Sequence, residues 1–78
     1  MARIKKFVQG DREVKGPQTE VDGYVQKVVA EDGTLYLYLY NYVEGGPKPG
    51  SSPTQSIHFD AASARAFKTI LEGTFGPL

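Results

Sequence analysis

The sequence predicts an α+β domain: an antiparallel β-meander of about four strands with one C-terminal amphipathic helix packed on one face. Two observations carry this expectation. From Thr34 to Val43 tyrosine recurs at every second position, the period-two signature of a strand. From Asp60 onward the pattern changes to helical spacing, with an acidic N-cap residue before an alanine-rich run.

Taken in order, Ile4, Phe7 and Val8 belong to a basic-apolar run that ends at Gly10-Asp11, which predicts a strand over 3–9, with 12–15 pairing back onto it. Ile4 and Val8 are expected to point inward, which sends Arg3, Lys5 and Phe7 to the opposite face. Gly16-Pro17 breaks the chain. A second strand runs from Thr19 to Val29, with Val21, Val25 and Val29 at even spacing. Glu31-Asp32-Gly33 then forms a three-residue hairpin loop, a type I turn closed by a left-handed glycine. That loop pairs Val29 with Leu35, Val25 with Leu39 and Val21 with Val43, and it places Gln26 opposite Tyr38 and Tyr24 opposite Tyr40. A two-residue Asp-Gly turn would slip the pairing by one and mix valines with tyrosines.

Residues 44–53 hold three glycines, three prolines and two serines and are expected to be a flexible loop. Thr54 to Phe59 reads as a short strand. The helix is expected over about 61–72, capped by Asp60 at its start and by Gly73 at its end. Ala64, Ala66, Phe67, Ile70 and Leu71 form its apolar stripe. The seat for that stripe is the leucine–valine face of the sheet. One helix covers one face only, so all five tyrosines, Tyr24, Tyr36, Tyr38, Tyr40 and Tyr42, are left on the other.

Composition narrows the function. Seventy-eight residues make one small domain, 1–78, with a thin stability margin. There is no cysteine and one histidine, His58, so neither a disulfide nor a familiar metal-ligand set is expected. No phosphate loop or nucleophile–base spacing appears, so the chain is expected not to be an enzyme and to need no cofactor. No apolar stretch long enough for a signal peptide or a membrane span follows the N-terminus, which makes a cytoplasmic, membrane-free protein the expectation. Net charge is zero, but residues 1–17 carry a net +3 that the rest of the chain balances.

These features point to a binding module that works through the tyrosine row, joined on its face by Gln26 and His58. A row of this size exceeds the apolar patch a monomer ordinarily leaves bare. Its expected cover is a second copy, giving a homodimer packed tyrosine face to tyrosine face, or another protein. The alternative is single-stranded nucleic acid, with the rings as a stacking platform and Arg3, Lys5, Lys6 and Lys48 on the phosphates.

Overall fold

Asp32 and Gly33 set the register of the sheet. In the computed structural model, which describes residues 2–78, Gly33 has φ +88°, a conformation that costs a Cβ-bearing residue on the order of 1–2 kcal/mol. The Asp32 carboxylate accepts from the Thr34 amide at 2.9 Å, and the Ala30 amide donates to the Thr34 carbonyl at 2.9 Å. The three-residue loop is therefore the one formed. It fixes β2 (Tyr24–Val29) against β3 (Leu35–Asn41), antiparallel, with Val29 opposite Leu35, Gln26 opposite Tyr38 and Tyr24 opposite Tyr40. The backbone and hydroxyl bonds from Thr34 hold the Asp32 carboxyl below the usual aspartate range.

The hairpin is shorter than its sequence pattern. The Glu20 amide donates to the Glu44 carboxylate at 2.7 Å, so 19–23 leave the ladder and Val21 and Val43 do not pair. After two hydrogen-bonded turns in the 44–53 loop, β4 (Gln55–Phe59) pairs antiparallel with β3, Tyr38 opposite His58 and Leu37 opposite Phe59.

The N-terminal strand departs from the expected meander. Only β1 (Ala2–Arg3) forms a ladder, and it runs parallel to β4, giving the sheet order β1-β4-β3-β2. The cause is topological: β3 has partners on both sides, and the outer edge of β4 is the one the N-terminus reaches. The strand ends early because Phe7 turns toward the helix side and stacks on Phe67, centroids 5.5 Å apart, instead of joining the tyrosine face. Val8, expected inward, is 77% exposed, and residues 12–15 form no strand.

Helix α1 (Ala61–Phe75) begins as the sequence predicts. Asp60 accepts from the Ser63 amide at 2.8 Å, and the Ser63 hydroxyl accepts from the Asp60 amide at 3.1 Å, a reciprocal capping box. Its end lies one turn later than expected. Gly73 is inside the helix, and Gly76, with φ +84°, is the cap, its amide bonded to the Glu72 carbonyl at 2.9 Å.

Backbone and hydroxyl bonds from Ser63, reinforced by the Arg3 guanidinium 3.0 Å away, lower the Asp60 carboxyl below the usual aspartate range. A depressed carboxylate contributes stability above its unfolded pKa, and that contribution is lost as pH falls through the folded value. Asp60→Ala is therefore expected to lower the melting temperature at neutral pH and to reduce the loss of stability on acidification. Asp60→Asn keeps an acceptor for Ser63 and should restore most of the neutral-pH stability. Thermal melts of the three proteins from pH 7 down to pH 2 check this.

Phe59, at 5% exposure, is the single buried hydrophobic residue among those described. It stacks on Phe67 at 5.3 Å, so Phe59, Phe67 and Phe7 form a three-ring pile that holds helix, β4 and the N-terminal arm together. Of the expected helix stripe, Phe67 and Leu71 go inward, joined by Ser63, while Ala64, Ala66 and Ile70 stay exposed.

Candidate binding face

Period-two alternation and the hairpin register place the five tyrosines together, with His58 and Gln26 beside them. Their rings form one connected array. Tyr24 stacks on Tyr40 at 5.3 Å, Tyr40 on Tyr38 at 4.8 Å and Tyr38 on His58 at 4.6 Å, with interplanar angles of 21°, 24° and 28°. Tyr42 meets Tyr24 edge to face at one end, and Tyr36 meets His58 in the same way at the other. All six are half-buried.

Near-parallel rings this close must overlap face to face, since coplanar rings lying flat on the sheet would collide at such a separation. The rings therefore overlap in one offset stack, with the central two, Tyr38 and Tyr40, each stacked on two neighbours. The Tyr40 hydroxyl donates to Gln26 Oε1 at 3.2 Å, which ties the stack to β2.

The basic residues do not gather on this face. Arg3 is in register with His58, but its guanidinium is taken by Asp60. Lys5 and Lys6 are exposed beyond the end of β1, and Lys48 is exposed in the loop, where its amide donates to the Ser51 hydroxyl at 2.9 Å. At the Tyr24–Tyr42 end the array opens instead onto a cleft of about 720 Å³ whose lining includes Thr19, Glu20, Asp22 and Gly45. The Glu44 carboxylate is bonded to the backbone beside it. No group of three metal-ligating side chains occurs among the described residues. No helix there is long and apolar enough to cross a membrane.

The opposite face was expected to be covered, and it is not. Val25, Val29, Leu35 and Leu37 are 64%, 68%, 57% and 42% exposed. A helix about 10–12 Å across spans little more than two strands spaced about 4.8 Å apart. Starting directly after β4, α1 lies over β4 and the Phe7 arm and leaves β2 and much of β3 bare. The signal in the sequence was the single residue, Asp60, between β4 and the helix, which gives the chain no length to carry the helix across. Lys27 lies on this bare face, on the edge strand and opposite Leu37.

No protein-family model, curated protein or solved structure matches this chain.

Proposed function

We propose that this chain is a small non-catalytic binding module whose tyrosine-rich sheet face recognises a protein partner. The observation that carries the reading is the connected ring array from Tyr42 to Tyr36. Tyrosines held by their neighbours lose little side-chain entropy on binding, and each presents an apolar edge with a hydroxyl at its tip. The acidic cleft at one end of the array favours a partner segment bearing arginine or lysine, whose cation meets carboxylates while its stem lies on the rings.

The same two features weigh against single-stranded nucleic acid. Bases stack on open ring faces, and the rings of Tyr38 and Tyr40 each already stack on two neighbours. Glu20 and Asp22 beside the array repel phosphates, and Arg3 is engaged elsewhere.

Selection of a random peptide library on the immobilised protein tests the reading. It should return arginine- or lysine-bearing peptides that lose at least tenfold in affinity on Tyr24→Ala and on Glu20→Lys/Asp22→Lys. Oligothymidine should leave tyrosine fluorescence unchanged at low salt. Salt-dependent quenching by the oligonucleotide, or peptides indifferent to both variants, would overturn it.

A further inference from the structure

We infer that the bare leucine–valine face of β2 and β3 is covered by a second copy of this chain, making a homodimer in which two sheets pack through these faces and the tyrosine arrays point outward.

Exposed area supports a partner. The chain exposes 6827 Å², whereas a folded monomer of 8.5 kDa is expected to expose roughly 4,700 Å². Much of the excess of roughly 2,000 Å², like the Cα radius of gyration of 14.6 Å against about 11.5 Å for a compact chain of this length, comes from the open arm at 5–23, and the sheet face is its ordered apolar part. Four side chains 42–68% exposed there, with the stem of Lys27 and the flanking residues, suffice for an interface on the order of 1,000 Å² in total, at the lower end of stable ones. With Phe59 the one buried hydrophobic residue among those described, the protomer has half a core.

Chemistry selects a second copy over an unlike protein. The face presents Val25, Val29, Leu35 and Leu37 with no carboxylate among them, the composition of an interface that is never exposed. Lys27 is its one charge. On the edge strand its stem can lie along the face while the ammonium reaches water, so two copies can meet without burying like charges. Flat antiparallel strands of this kind pack on their own likeness about 10 Å apart, with the strand directions within about 30°. The second sheet supplies to β2 and β3 the layer that α1 supplies to β4.

Sedimentation equilibrium of the full chain at micromolar concentration should give twice the 8.5 kDa protomer mass. Leu37→Asp should shift it to monomer, with at least a hundredfold weaker self-association, while Gln26→Glu, which adds a charge to the tyrosine side at an exposed position and keeps an acceptor for the Tyr40 hydroxyl, should leave the mass doubled. Because the native chain has no cysteine, a single introduced thiol reports the face without relying on a disruptive variant. V25C should form cross-linked dimers with a short bis-maleimide, and Q26C, one residue on and on the other face, should not. A protomer mass for the unaltered chain would overturn the proposal. So would efficient cross-linking through Q26C but not V25C, or dissociation by Gln26→Glu with Leu37→Asp unaffected, because each places the contact on the tyrosine side.

Discussion

Phe59→Ala should unfold the domain. Phe59 is the one buried apolar side chain among the described residues, and it stacks on Phe67, which in turn stacks on Phe7. Removing a buried phenylalanine costs about 3–5 kcal/mol. A chain this short has a total stability on the order of 4–12 kcal/mol, with small domains at the low end. The loss therefore takes most or all of the margin. Far-ultraviolet circular dichroism in a urea titration should show little or no folded baseline for this variant. Phe75→Ala is the control, because Phe75 is 71% exposed and should leave the midpoint close to that of the parent. A folded Phe59→Ala protein with an unchanged midpoint would mean that the three-ring pile is not what joins helix to sheet.

The second large effect is expected at Tyr40, and its size depends on which face the helix covers. Tyr40 stacks on both Tyr24 and Tyr38, and its hydroxyl donates to Gln26. Two aromatic contacts at roughly 0.5–1.5 kcal/mol each, added to the area they bury, put Tyr40→Ala on the order of 2–4 kcal/mol. Leu37, 42% exposed, should cost the isolated protomer clearly less. The alternation of leucine and tyrosine suggests the opposite order, with Leu37→Ala in the roughly 2–5 kcal/mol range of a buried leucine. The difference lies in the helix position. Urea midpoints at protein concentrations low enough to hold the monomer should rank Tyr40→Ala below Leu37→Ala. At high concentration the cost at Leu37 should rise, since in the proposed dimer the second copy buries it. The reverse ranking in dilute protein would mean that α1 lies over β3.

Local chemistry made part of this legible in advance. Glu31-Asp32-Gly33 fixed the register because a glycine at positive φ three residues after Ala30 admits one pairing that separates valine from tyrosine. Asp60 announced the helix because its carboxylate has an orphan amide to accept from three residues on. Gathering the tyrosines on one face needed only the period of a strand. The parts that were not legible depend on contacts between distant segments. The ring stack runs through His58, and its orientation depends on the β3–β4 register, which no turn residue specifies. The parallel placement of β1 depends on which sheet edge remains free. In the sequence Gly73 alone reads as the helix end. The helix runs past Gly73 because the left-handed φ falls at Gly76, where the cap bond to Glu72 closes.

The parallel pairing of β1 with β4 also imposes an order on how the chain is made. Ala2 and Arg3 are translated before the other strands, yet their partners Ile57 and His58 lie in β4, the last of the four strands to be made. Until then the edge that β1 joins does not exist. The hairpin of β2 and β3, closed by three residues, can form during that wait, since short loops close far sooner than long ones. The Arg3–Asp60 bond, which links residues 57 apart in sequence, comes after both. Between the pairing of β4 with β3 and the arrival of β1 the outer edge of β4 stands open, and on a crowded polysome it can be claimed by the first strand of a neighbouring nascent chain. The segment that finishes the sheet is thus also the one through which two chains could exchange strands during synthesis.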